Sequence, residues 1–257
     1  MCKTAIVFAL ALLVSGPASA QEFIDYQNAE DGFAVNFPGQ PQVMTTTWKS
    51  QFDYELPAKV FSANRGPERY TVTIVDYNGL EELGKQRAAR CEPGNAQCRQ
   101  NAGIMGPGYW QHDMRAAVMF ATSTFVLREG AKVTQMGWEW QEMVEGNFLQ
   151  LTNADKSRSF FWITMHEKKL YMAEARVPEG RPEPGLFQQS WSFIDPAGNR
   201  IRYQQVIYSN AYHGMGAYPK PTYGNQGRGA GAGAGGGTGA GGRGAAPAPA
   251  GRGAGQN

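Results

Sequence analysis

Three histidines, two cysteines outside the leading segment and a scatter of acids bound the side-chain chemistry open to this 257-residue chain. His112, His166 and His213 lie far apart in sequence. His166-Glu167 opens like a zinc-protease motif, in which a second histidine one helical turn on completes the metal pair. Lys168-Lys169-Leu170 follows instead, so the segment reads as a hairpin turn and not as a ligand set. His112-Asp113 stands at the start of a helix, where a capping or surface role competes with proton transfer. No Gly-x-Ser-x-Gly elbow occurs, and neither Cys91 nor Cys98 has the context of a nucleophile. Gly231-x-Gly233-x-x-Gly236 spells a dinucleotide fingerprint, but inside a Gly-Ala repeat with no strand before it or helix after it. No catalytic residue, cofactor-binding residue or metal ligand is therefore assigned. An enzyme would have to assemble its site from scattered residues such as His112, Asp113 and Glu139.

The start of the chain carries an address. Met1 to Lys3 supply one positive charge, Ala5 to Val14 is an unbroken apolar run, and Gly16-Pro17 breaks it before Ala18-Ser19-Ala20. That is the layout of a cleavable signal peptide over residues 1–20, its apolar core too short to span a bilayer. No later stretch is apolar for long enough to span one either. A periplasmic or secreted protein beginning near Gln21 is expected. Cys2 leaves with the signal, so Cys91 and Cys98 remain in a compartment that permits disulfides. Pro93-Gly94 between them is a turn signal that brings their ends together, and a Cys91–Cys98 bridge is expected, with two free thiols as the alternative.

The end of the chain changes composition. From about Ala211, tyrosines sit among Gly and Pro, and Gly227 to Gly255 is almost wholly Gly, Ala, Pro and Arg. Such a stretch cannot bury enough apolar area to offset its ordering entropy, so residues 211–257 read as a disordered tail. With Lys3 and the tail's Arg228, Arg243 and Arg252 set aside, 20 Lys and Arg face 22 Asp and Glu. A near-neutral body lacks the basic footprint that nucleic acid requires, so no nucleic-acid partner is expected.

Residues 21–210 are enough for one domain. Phe33, Val35 and Phe37 alternate as in a half-buried strand, and Val43–Phe52, Lys59–Ala63 and Tyr70–Val75 are β-prone. Asn78 caps an expected helix over 79–90. Met114, Val118, Ala121 and Phe125 recur at helical spacing in a second helix. Four strands follow at Val133–Val144, Phe148–Thr152, Ser159–Met165 and Leu170–Val177, with turns at 145–147, 153–157 and 167–169. Turns this short imply an antiparallel meander. Phe187, Trp191 and Ile194 suggest a closing helix after Pro184, and Arg200–Ile207 a last strand. The order predicts an α+β domain, an antiparallel sheet covered by helices. Trp138, Trp140, Phe160 and Trp162 fall on neighbouring strands. Since Phe160 and Trp162 oppose Phe161 and Ile163 across their own strand, one set packs under a helix while the other meets a second layer or solvent, and an exposed set would be a binding patch.

The opening Asp31-Gly32-Phe33-Ala34-Val35-Asn36-Phe37-Pro38-Gly39-Gln40-Pro41, the strands after it and the closing Leu186-Phe187-Gln188-Gln189-Ser190-Trp191-Ser192-Phe193 resemble the PsbP-like superfamily. The resemblance covers residue 23 to about 207. It implies an αβα sandwich around an antiparallel sheet and a non-catalytic accessory or binding role, with an envelope protein or polymer as partner. The cysteine loop and the Gly-rich tail depart from that pattern.

Overall fold

A computed structural model describes residues 22–101, 114–203 and 222–223. The leading segment, His112, Asp113, His213 and nearly all of the tail lie outside these residues.

The chain opens with a hairpin of β1 (Ile24–Asn28) and β2 (Phe33–Phe37). Then come three long antiparallel strands, β3 (Gln42–Lys49), β4 (Glu55–Arg65) and β5 (Glu68–Asp76). Helices α1 (Leu80–Ala89), α2 (Ala96–Asn101) and α3 (Met114–Val126) follow. The expected meander is β6 (Lys132–Gln141), β7 (Val144–Thr152), β8 (Arg158–His166) and β9 (Lys169–Val177). A single turn of helix, α4 (Gly185–Gln188), and strands β10 (Ser192–Ile194), β11 (Arg200–Arg202) and β12 (Thr222–Tyr223) complete the described chain.

These strands form two sheets. The larger has the order β3-β4-β5-β9-β8-β7-β6 and the smaller β1-β2-β10-β11-β12, every pairing antiparallel. The α+β antiparallel expectation holds. Alternation along each strand sends side chains to opposite faces, so the large sheet has two cores. On one face Phe61, Tyr70, Val72, Tyr171 and Ala175 pack against Phe33, Phe37 and Phe193 of the small sheet, with Phe187 and Trp191 closing the layer. On the other, Leu149, Phe161, Ile163, Met165, Leu170 and Met172 pack under Ala117, Val118 and Ala121 of α3. The stripe read from sequence thus faces the core at Val118 and Ala121, with Phe125 partly buried against it.

Four sequence expectations are corrected. The closing helix is one turn long. Its supposed continuation, Ser192–Ile194, is a strand in which Phe193 pairs with Phe33, while Ser190 Oγ accepts the Asn36 amide at 2.8 Å. Phe187 and Trp191 reach the same core from a turn and the approach to a strand, which mimics helical spacing, so one cover of the large sheet is mainly a second sheet.

The β6–β7 turn lies at Glu142-Met143, both at positive φ (49° and 63°), and not at Glu145-Gly146-Asn147. Glu and Met are poor turn formers, whereas Gly146 is a turn residue by composition that serves in a strand for lack of room. A Cβ there would stand 2.6 Å from the Ile163 carbonyl oxygen and 2.8 Å from Trp162 Cζ2.

Asn78 does not cap α1. The cap position is Gly79, with no side-chain bond, and Asn78 turns back to donate to Asp76 Oδ1 at 2.7 Å.

His166 belongs to the end of β8 and not to the turn. It is buried, stacked on Phe193 at 4.3 Å between ring centroids, with Nε2 2.7 Å from the Tyr203 hydroxyl. Burial, with Lys169 nearby, lowers its pKa to about 3, so the imidazole is neutral at ordinary pH.

Cys91 and Cys98 are joined by a disulfide just beyond α1.

Candidate functional site

On the α3 side of the large sheet, β5 and β9 present a row of opposed residues: Val75 and Leu170, Thr73 and Met172, Thr71 and Glu174, Arg69 and Arg176. The row begins as core and ends as charge. The change falls where α3 stops. Phe125, in its last turn, packs on Phe161 at 4.4 Å. Arg128, two residues past the helix, lies over both rings at 4.7 and 5.3 Å. It then forks onto Glu174, with Nη1 to Oε1 at 2.7 Å and Nη2 to Oε2 at 3.0 Å. Paired N–H donors on a planar carboxylate make the strong, directional form of this bond, so Arg128 and Glu174 build a wall between the apolar and polar halves of the face.

Beyond that wall a basin of about 520 Å³ opens, lined by Arg69, Thr71, Arg128, Glu129, Asp155, Glu174 and Arg176 among others. Arg176, Asp155 and Asn153 of its lining share a polar network with Ser157 and Ser159. Arg176 donates from Nη2 to Asp155 at 2.6 Å and from Nε to Ser157 Oγ at 2.8 Å. Ser157 Oγ donates to Asp155 at 2.6 Å, and Asn153 Nδ2 donates to both Ser157 Oγ and Ser159 Oγ at 3.0 Å. The Ser157 hydroxyl, its backbone amide and Arg176 hold the Asp155 carboxyl below the usual carboxylate range.

Arg69 differs from the other two arginines. It stands directly opposite Arg176 in the ladder, a placement in which two like charges repel. Arg176 is neutralised by Asp155. Exposed Arg69 has no hydrogen bond or ion pair among the described residues, and neither has the Thr71 hydroxyl two residues on. A guanidinium left unengaged in the wall of a basin this size can take up an anionic group.

A second cavity, of about 340 Å³, lies on the opposite face around Lys59, Glu30, Asp31, Asp76 and Lys169. Each of its charged side chains already has a hydrogen-bond partner. Lys59 Nζ reaches Glu30 at 2.7 Å and Asp31 at 3.1 Å, Lys169 Nζ donates to the Glu30 carbonyl at 2.8 Å, and Asp76 accepts from Asn78. None of these side chains stands without a partner, as Arg69 does.

The four aromatics of the expected patch part company. Phe160 and Trp162 are buried and belong to the layer between the sheets, so of the two alternatives for that set it is the second layer and not solvent, and both drop out of the candidate patch. Trp138 is partly buried and donates from Nε1 to Glu145 at 2.9 Å, an oxygen that Arg115 also grips at 2.6 Å. Trp140 is exposed on edge strand β6, as are Met136 and Val133. Glu139, the acid named for a scattered active site, is exposed on the same strand; its partners in that reading, His112 and Asp113, lie outside the described residues. Among the described residues no three His, Cys, Asp or Glu side chains gather as a metal site, and no helix is long and apolar enough to cross a membrane.

Sequence reasoning missed the basin. The signal was present in Arg69-x-Thr71 and Glu174-x-Arg176, polar residues at period two that follow on the same face from Val75 in β5 and from Leu170 and Met172 in β9. Only the β5–β9 register joins the two stretches.

Fold and site define an α+β two-sheet protein with an open, charge-lined basin on its larger sheet. No family model matches the chain, and no curated protein matches it. Among solved structures it is similar to the solution structure of cyanobacterial PsbP (CyanoP) from Synechocystis sp. PCC 6803, at 12% identity and a TM-score of 0.40, over 71% of this chain and 98% of that one. The α+β assignment rests on the strands and helices themselves and not on that likeness.

Proposed function

We propose that this protein is an exported, non-catalytic binding module that seats a polar ligand, free or as part of an envelope polymer, in the basin at the end of α3. The single observation that carries the reading is Arg69, an unengaged cation opposite Arg176 in a basin whose other arginines are already matched to carboxylates. The polar network that joins Arg176, Asp155 and Asn153 of the lining supports it further. Side chains fixed by Arg176, Asp155, Ser157 and Asn153 need no ordering when a ligand arrives, which lowers the entropic cost of binding. The Cys91–Cys98 bridge supports export, because such bonds persist in oxidising compartments. The signal-peptide layout of residues 1–20 agrees with it.

The test is a nuclear magnetic resonance titration of the ¹⁵N-labelled protein with small neutral and acidic oligosaccharides. The expected outcome is a set of shift changes confined to residues 69–71, 128–129, 153–157 and 174–176, with every ligand recovered unchanged. Changes confined to Val133–Trp140, or conversion of a ligand, would overturn the reading.

A further inference from the structure

Resting on that reading of the basin, we infer that its ligand is a hydroxyl-rich molecule carrying a single carboxylate, as in an acidic sugar, with the carboxylate held by Arg69 beside Arg176. The chain's own pattern points to the carboxylate. Arg128 is matched by Glu174 in a two-point fork, and Arg176 by Asp155. Arg69 is the third guanidinium of the same wall and lacks such a partner among the described residues. A planar guanidinium fork fits a planar carboxylate. Placed between the opposed Arg69 and Arg176, one negative charge would also relieve a repulsion that Asp155 relieves from one side only.

The rest of the lining sets the ligand's other features. Asp155 and Glu174 are already matched to arginines and Glu129 is not, so a doubly charged group such as phosphate would meet more repulsion from Glu129 than a single carboxylate does. Hydroxyls meet none. They can donate to Glu129, which is exposed and has no partner among the described residues, and accept from the Thr71 hydroxyl. Ala154 is the one apolar residue in the basin's lining, so affinity cannot come from an aromatic or alkyl anchor. A volume of about 520 Å³ is within the range of small-ligand sites and has room for more than one sugar ring.

The experiment is isothermal titration calorimetry of the intact protein with a galacturonate oligomer, its neutral galactose counterpart and inorganic phosphate, each at low and physiological salt. The acidic oligomer is expected to bind at least ten-fold more tightly than the other two. Arg69→Gln should weaken it about 10- to 100-fold, the scale of a lost charge-assisted hydrogen bond, and Arg69→Lys should restore only part, since it returns the charge without the fork. Phosphate binding as tightly as the acidic oligomer, or Arg69→Gln binding like the parent, would overturn the inference. If the neutral oligomer binds equally well and still shifts the basin resonances, the ligand class fails and the binding module stands. If none of the three probes perturbs the basin, both fail together.

Discussion

One face of one sheet is put to two uses. Along β9, Leu170 and Met172 lie buried beneath α3, while Glu174 and Arg176, next on the same face, line an open basin. The backbone ladder is continuous through both halves; what differs is the cover. Under the helix a residue contributes by losing water. Past Val126 it can contribute only through charge and hydrogen bonds. Stability and recognition are therefore divided along the strand, and a substitution in one half should leave the other's property nearly untouched.

The largest effect should come from the covered half. Phe161 is 1% exposed and packs on Phe125, so Phe161→Ala should lower unfolding free energy by about 3–5 kcal/mol in urea denaturation. Arg69→Gln, in the open half of the same face, should change it by less than about 0.5 kcal/mol. The division would break if the two substitutions cost the same.

Next in size is a pH effect from the core between the sheets. His166 is held neutral by burial, with a pKa lowered from 6.5 to about 3. Below pH 6.5 the unfolded chain takes up a proton that the folded one refuses, so stability should fall as pH drops from 6.5 towards 3, by about 1.4 kcal/mol per pH unit once well inside that window. Above pH 6.5 the contribution is flat. His166→Gln should abolish this component of the urea midpoint's pH dependence, though removing the Phe193 stacking lowers stability at every pH. An unchanged acid slope in the variant would show that His166 titrates normally.

A smaller effect is expected outside both halves. The Cys91–Cys98 bridge closes a short loop and contributes about 2 kcal/mol by chain entropy. The double Cys91→Ser, Cys98→Ser protein should melt a few degrees lower while keeping its basin intact. Thiol labelling of the native protein should give no signal before reduction.

Much of this fold was legible because strand alternation is local. Phe33-x-Val35-x-Phe37, the Val118 and Ala121 stripe and the cysteine loop all announce themselves within a few residues. The Glu142-Met143 turn was not, because its positive-φ conformation is imposed by pairing on both sides and not by turn-forming residues. Nor was the end of the closing helix, since the Phe33–Phe193 pairing that makes Ser192–Ile194 a strand joins opposite ends of the domain. The basin was hidden for the same reason. Arg69 and Arg176 each look like an ordinary exposed arginine until the register sets them face to face.

The most direct test of the division between covered and open halves is a crystal structure of the protein grown with the galacturonate oligomer. The account predicts a carboxylate within hydrogen-bond distance of the Arg69 guanidinium, Arg176 still paired to Asp155, and α3 unmoved over Phe161. An oligomer seated on the Val133–Trp140 edge, or Arg69 turned away from a sugar bound elsewhere, would contradict it.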